Sequence, residues 1–310
     1  RGAAVNRLIK CHNFKIFEEK IFSTLENIAL KASSVTRAAA IYELALLHNL
    51  NSKRNLDLFL NLMWDYDPGL LSIPLHKLHP LVYLIHVDFE KLIPFFEKAT
   101  EIEESHQVIS HILFFAWLND CERSKELLDN ILSRSVIAKA TVIGIAFNNI
   151  NDEKSFEKCY AIIMQFLNED EKEIADKYEH AFYHLKPKLF SQIELFLFNY
   201  VDSNVGIQRD SSFYEYLQKC LQKYQNRETA EKCIDLTRKF SNHLKPDISQ
   251  RSLTKEPLQV VIDAYSVIRD YHIQTEHLEF AMDTFDAMLK MSEYRGNMKT
   301  MLNKLDESLF

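Results

Sequence analysis

An all-α fold is predicted for this chain, arranged as a right-handed α-solenoid of stacked helical hairpins, and three observations predict it. The 310 residues include only 5 glycines and 7 prolines, too few for the turns of a β-rich protein or the phosphate loops of an α/β one. Hydrophobic residues make up 47% of the chain, enough for a large core, and they recur at helical spacing along most of its length. The third observation is a phrase that returns in phase: Arg1-Gly2-Ala3-Ala4-Val5, then Ser34-Val35-Thr36-Arg37-Ala38-Ala39-Ala40, then Ser135-Val136-Ile137-Ala138-Lys139-Ala140. Arg1 and Arg37 are 36 residues apart, and Arg37 and Lys139 are 102 apart, or three steps of 34. A basic residue followed by alanines at that period marks TPR/HEAT-like hairpins, in which small side chains let two backbones approach closely. About seventeen helices are expected, with a globular bundle as the alternative arrangement.

The elements follow in order. Phe17, Ile21, Leu25, Ile28 and Ala29 share one face of a helix over 17–30. The next helix, 33–48, is expected to turn Val35, Ala38, Ala39, Tyr42, Ala45 and Leu46 inward, with Ser33 or Ser34 as its cap. Asn51-Ser52 breaks the chain before a helix over 53–65, and Asp67-Pro68-Gly69 is a turn. Residues 71–86 are apolar but carry Pro74 and Pro80, which predict a bent or broken helix. Asp88 caps a helix ending near Thr100, and helices over 104–119, 122–133 and 135–149 continue the pairing. Asn151-Asp152 is expected to cap 153–168. A further helix runs from Asn168-Glu169-Asp170 to near Lys186-Pro187, and another covers 188–201. Two longer loops, 202–210 with Gly206 and 243–254 with Pro246, flank helices over 211–225 and 227–242. Helices over 255–272, 276–292 and 295–308 complete the chain, with Phe280, Met282, Phe285, Met288 and Leu289 as a packing stripe. The expected organisation is a first solenoid segment over 1–201, a loop-flanked hairpin over 202–254 that is the place to flex, and a last segment of the same solenoid over 255–310. The repeat-interior character of Arg1-Gly2-Ala3-Ala4-Val5 suggests a piece of a longer polypeptide.

Net charge is −7, which argues against a general nucleic-acid binder, since that task needs a basic surface. Residues 1–50 are net +3 and residues 151–200 net −4, biases too small to name a partner. The cysteines at 11, 121, 159, 220 and 233 are widely spaced and form no Cys-x-x-Cys, as expected for reduced thiols in a cytoplasmic protein. The longest apolar run, Ile112 to Leu118, is far below the ~20 residues that span a bilayer.

Chemistry finds little support. None of Gly2, Gly69, Gly144, Gly206 or Gly296 stands in a Gly-Lys-Ser/Thr loop that could cradle phosphates. His76, His79 and His86 lack converging further ligands. His180 and His184 lie one turn apart, but Glu179 precedes the first histidine instead of following it, the wrong order for a zinc hydrolase. Cys11 and His12 are adjacent and point about 100° apart on a helix, so they cannot pair as nucleophile and base. The run Glu169-Asp170-Glu171-Lys172-Glu173 reads as the solvated first turn of a helix. No catalytic, metal or cofactor site is expected. Among the aromatics, Trp64, Tyr66, Tyr214 and Tyr216 stand at helix ends beside loops, places where Tyr and Trp anchor protein interfaces. With Arg209 they are the candidate protein-binding residues, and Arg209→Glu with Tyr214→Ala is expected to weaken binding without unfolding the chain.

A succession of short blocks carries a resemblance. Val35-Thr36-Arg37-Ala38-Ala39-Ala40 is followed by Leu56-Asp57-Leu58-Phe59-Leu60, Asp67-Pro68-Gly69-Leu70-Leu71 and Val82-Tyr83-Leu84-Ile85-His86-Val87-Asp88-Phe89-Glu90-Lys91-Leu92-Ile93-Pro94. Arg134-Ser135-Val136-Ile137-Ala138-Lys139-Ala140 and Ala146-Phe147-Asn148-Asn149 come next, and the tail has Ala230-Glu231-Lys232-Cys233-Ile234-Asp235, Glu256-Pro257-Leu258-Gln259-Val260-Val261 and Phe280-Ala281-Met282-Asp283-Thr284-Phe285-Asp286. Taken together, this resembles the C-terminal helical-repeat sensor region of bacterial antiviral STAND NTPases (the Avs group). The resemblance implies an N-terminal effector, a central NTPase that uses ATP and magnesium, and a helical sensor that directly binds a phage protein, the terminase large subunit or the portal. Binding would release the NTPase to oligomerise and turn on the effector. This chain would be part of the sensor alone: monomeric, without cofactor, and in contact with neither nucleic acid nor membrane. A generic solenoid scaffold with a cellular protein partner remains the alternative, and an RNA-binding helical repeat is disfavoured by the acidic balance.

Overall fold

The computed structural model describes residues 2–10, 15–73, 80–207, 211–243, 255–268 and 279. Every regular element among the described residues is helical. The chain divides into two compact units, Arg1–Val142 and Ile143–Phe310. The division falls inside a helix, away from the segment boundaries at 202 and 255 expected from the loops.

In the first unit the helices are α1 (Gly2–Ile9), α2 (Glu18–Lys31), α3 (Ser34–Glu43), α4 (Ser52–Leu62), α5 (Pro68–Leu71), α6 (Leu81–Leu84), α7 (Phe89–Ala99), α8 (His106–Leu118) and α9 (Ser124–Leu132), followed by the start of α10 (Val136–Asn149). Their ends have local causes. Asn51 Oδ1 accepts from Arg54 N at 3.1 Å and Asp88 Oδ1 from Lys91 N at 3.1 Å, so each side chain satisfies an amide that the first helical turn leaves bare. Pro68 opens α5, where its missing N–H costs nothing. The apolar stretch after it is broken, as the prolines predict: α5 and α6 are single turns, and residues 74–79 lie outside the described residues.

One helix face differs from the expectation. Around α3 the buried residues are Thr36, Arg37, Ala40, Ile41, Leu44 and Leu47, whereas Val35 and Tyr42 are exposed. The face is turned by about one residue from the one expected, because Ala40, Ile41, Leu44 and Leu47 form the buried apolar stripe. Arg37 lies on that face, with both Nη atoms bonded there.

The second unit continues from α10 through α11 (Phe156–Gln165), α12 (Lys172–Ala181), α13 (Glu194–Val201), α14 (Asn204–Ile207), α15 (Ser211–Lys223), α16 (Arg227–His243) and α17 (Lys255–Ile268). Its core is aromatic. Phe182 meets Tyr200 edge-on at 4.8 Å between ring centroids and Phe213 at 5.2 Å, and Phe213 lies 5.0 Å from Phe240. These are the offset and T-shaped geometries that the ring quadrupole favours. The stretch after Val201, read as a loop, holds the single-turn helix α14 packed against α12 and α13. A Cβ on Gly206 would fall 2.0 Å from the Tyr200 carbonyl oxygen, so only glycine fits that approach. Arg209, the loop over 243–254 and the packing stripe of 280–289 lie outside the described residues.

Several polar bonds in each unit join residues 33 to 36 positions apart, beside others at 25 to 28 and 38. In the first, Lys91 pairs with Asp57, 34 residues back, and Arg134 Nη2 donates to the Thr100 carbonyl, also 34 back, at 2.6 Å. In the second, Asn151 Nδ2 donates to His184 O 33 residues on, and its Oδ1 accepts from Lys186 N 35 residues on, each at 3.1 Å. Asn204 reaches back 36 residues to Asn168 O, and Ser212 reaches back 33 to Glu179 O. Asn151 was expected to cap the helix that follows it. Its side chain is instead spent on the turn that follows α12.

Candidate functional site

The best-built surface feature of the first unit is a corner where three helices end. Arg54, in the first turn of α4, bonds Glu19 at 2.7 Å and Glu26 at 2.8 Å, tying α4 to α2. Arg37, in the first turn of α3, reaches Leu62, the last residue of α4. Only Ala32 and Ser33 separate α2 from α3, so the end of α2, the start of α3 and the end of α4 lie at one edge.

Arg37 holds this edge together. Its Nη1 donates to the Leu62 carbonyl at 2.8 Å, satisfying an orphan acceptor of the α4 C-terminus, and to Asp65 Oδ1 at 2.8 Å; its Nη2 donates to Asp65 Oδ2 at 2.5 Å. This is a two-armed guanidinium–carboxylate pair, with Arg37 only 3% exposed. Ser34 Oγ donates to Asp67 Oδ2, and Asp67 Oδ1 accepts from Gly69 N at 2.9 Å, so the turn acid also caps α5. Hydrogen bonding from Arg37 holds the Asp65 carboxyl below its ordinary range, and hydrogen bonding from Ser34 does the same for Asp67.

Between those two acids the backbone passes through Tyr66 at φ 52, a left-handed conformation uncommon for a bulky aromatic. The Tyr66 ring stacks on Phe95 at 5.8 Å, and Lys98 Nζ lies 5.2 Å from its centroid. With Asp65 turned in to Arg37 and Tyr66 turned onto Phe95, Trp64 is left pointing outward. It is 64% exposed, with the Arg37 guanidinium carbon 6.0 Å from its ring centroid. Leu30, near the end of α2, is 74% exposed, and Val35, at the start of α3, is 80% exposed. Two aliphatic residues and a tryptophan are thus exposed at the ends of these helices around a charge-locked turn, and the tryptophan is of the type that anchors interface centres.

The expected binding residues separate. Trp64 is a surface group, and Tyr66 is half-buried beneath it. Tyr214 and Tyr216 are fully buried, Tyr214 against Phe240 at 5.4 Å and Tyr216 against Phe182 at 5.9 Å, so neither is available as a surface anchor. Their helix, α15, packs against α12, α16 and α17, so residues on nearly opposite faces are both enclosed. Arg209 lies outside the described residues. Leu30 was read simply as part of a helix and Val35 as core. The signal for them was an apolar residue within one turn of a helix end, which is also how a core residue looks.

His86 and His180 are exposed, His180 beside the Tyr183 ring at 6.5 Å, and the His184 carbonyl accepts from Asn151. Cys11, His12, His76 and His79 lie outside the described residues. Among the described residues no group of three or more His, Cys, Asp or Glu is placed to hold a metal, and no helix is long and apolar enough to cross a membrane. Burial pushes the Cys159 and Cys220 thiols up to about 12, which leaves them poor nucleophiles. No family model, no curated protein and no solved structure matches this chain.

Proposed function

We propose that the chain is a right-handed α-solenoid of helical hairpins whose task is to bind a protein, and that it is the sensor region of a bacterial antiphage STAND NTPase. The observation that carries the binding reading is the exposed Leu30, Val35 and Trp64 edge, mounted on the pair of the buried Arg37 with the part-exposed Asp65. Such an edge is already ordered, so a ligand that covers it gains apolar burial without the cost of ordering the loop. The solenoid is supported by side-chain bonds that recur 33 to 38 residues apart, the length of one helical hairpin. The sensor reading is supported by the family-like blocks around Asp67-Pro68-Gly69 and Asp88-Phe89. In this reading the ligand is a phage terminase large subunit or portal protein. The ATP and magnesium belong to an NTPase portion of the polypeptide, whose oligomerisation turns on an effector.

The test is co-expression of the chain with terminase large subunits and portal proteins, one at a time, followed by affinity capture. Retention of one of them by the chain, and its loss with Trp64→Ala, supports the reading. Capture of none of them, together with stoichiometric capture of a protein from uninfected cells, replaces it with the generic scaffold.

A further inference from the structure

The second unit contains a groove of about 520 Å³ between the turn that leads into α11 and the turn that follows α12. Ile150 and Leu189 give it an apolar floor, and both are almost fully buried. Phe156, half-exposed, also lines it, with its ring stacked on Tyr160 at 5.6 Å and 18°. Glu153 and Glu157 come from the α11 side and Lys188 from the other. All three are exposed, and among the described residues none of their side chains has a hydrogen bond or an ion pair. The two turns are tied to each other by the Asn151 side chain, which bonds His184 O and Lys186 N at 3.1 Å each. The groove is therefore preformed, and its charged groups are unspent.

Two free carboxylates beside an aromatic face form a receptor for a planar cation. A planar guanidinium can stack on an aromatic ring while its edge donates to carboxylates, which an ammonium cannot do as well, and it gives up its water more readily. We propose that this groove accepts an arginine side chain of a partner protein, with an apolar neighbour of that arginine resting on Ile150 and Leu189. Lys188 gives the groove a polarity: it repels a cation that enters from its side and favours an acid there. The inference deepens the protein-binding reading and rests on it, but it concerns a different unit from the Trp64 edge.

The test uses amide NMR spectra of the deuterated chain titrated with the capped peptide acetyl-Leu-Arg-Leu-Glu amide. The control is the same peptide with citrulline for arginine, which keeps the shape and removes the charge. The arginine peptide is expected to shift the amides of 150–157 and 188–192 saturably, and the citrulline peptide to leave them in place. Glu153→Gln with Glu157→Gln should weaken the arginine peptide by roughly tenfold, the product of two partly exposed ion pairs. Both positions are exposed, so the double variant keeps its fold, which unchanged amide shifts elsewhere will verify. Equal shifts from both peptides, no shift from either, or undiminished binding by the double variant would overturn the proposal, even if the chain captures a phage protein. Arginine-specific binding at the groove by a chain that captures no protein at all would uphold the subsite and reject the protein-binding reading.

Discussion

Trp64 and Tyr66 in the first unit and Tyr214 and Tyr216 in the second are both aromatic pairs separated by one residue near a helix end. The first pair follows the last turn of α4, where a left-handed residue lets alternate side chains part: Asp65 to Arg37, Tyr66 to Phe95, Trp64 to solvent. The second pair lies inside the first turns of α15, where neighbouring helices cover both faces and each ring is fully buried. What separates them is backbone conformation and the number of helices nearby, not residue type. A tyrosine or tryptophan beside a loop anchors an interface only if the chain leaves the helix before it is enclosed.

The sharpest way to break this comparison is to truncate one member of each pair. Tyr214→Ala removes a fully buried ring packed on Phe240 and should cost about 4 kcal/mol of stability, the range for large-to-alanine core changes. Urea unfolding followed by circular dichroism measures it. A loss within about 0.5 kcal/mol, the range of surface substitutions, would place Tyr214 at the surface and undo the contrast. The same change paired with Arg209→Glu is therefore unsuited to probing binding, because it acts on the core.

Next in size is Arg37→Met. It leaves the Leu62 carbonyl bare and removes the cation from between Asp65 and Asp67, at a cost of about 2–3 kcal/mol, moderated because the acids are partly exposed. The acid limb of stability should change with it. The folded-state pKa of Asp65 is lowered, chiefly by the hydrogen bond from Arg37. Its contribution is therefore present above the unfolded value of about 3.9 and is lost as pH falls through the lower folded value. In Arg37→Met that part of the loss below about pH 4 should disappear. An unchanged acid limb would show that the pair contributes nothing to stability.

The helices themselves were largely legible, because their signals are local. Asp88 and Asn51 cap the helices they precede, and Asp67-Pro68-Gly69 turns where it stands. The misreadings are all non-local. Arg37 reads as a residue that hydrogen-bonds a helix end, as it does at Leu62, but nothing within α3 names Leu62 and Asp65, 25 and 28 residues on, as its partners. Asn151 looked like a cap because its partners are 33 and 35 residues away. The enclosure of Tyr214 depends on α12 and α16, and the Leu30, Val35 and Trp64 edge depends on the bonds of Arg37 that bring the end of α4 to the start of α3. The groove at Phe156 left no sequence signal, since Glu153, Glu157 and Lys188 each read as an ordinary solvated charge.

A third test sharpens the interior side of the comparison. The Tyr216 hydroxyl is buried without an oxygen or nitrogen partner among the described residues, with the Cys220 thiol beside it, and burial pushes its pKa far up. An unmet hydroxyl is a cost to the fold, so Tyr216→Phe should stabilise the chain by about 1 kcal/mol. Tyr178 provides the control, because its hydroxyl donates to Ile163 O at 2.6 Å and the same change there should destabilise. Parallel unfolding curves that move both variants in one direction would contradict this reading of the tyrosine core.

The smallest stability effect belongs to the residue with the largest expected effect on binding. Trp64→Ala removes a mostly exposed ring that has the Arg37 guanidinium at 6.0 Å, so stability should change by no more than about 0.5 kcal/mol. A tryptophan at the centre of an interface commonly carries about 2 kcal/mol or more of binding, and capture of the protein ligand should fall accordingly. The two quantities have opposite orders at Trp64 and Tyr214, which is what an anchor and a core residue must do. If Trp64→Ala unfolds as Tyr214→Ala does, the ring is holding the turn instead of presenting itself. If it neither unfolds nor loses the ligand, the apolar edge around Arg37 is not where recognition occurs, and the groove at Phe156 becomes the surface to test first.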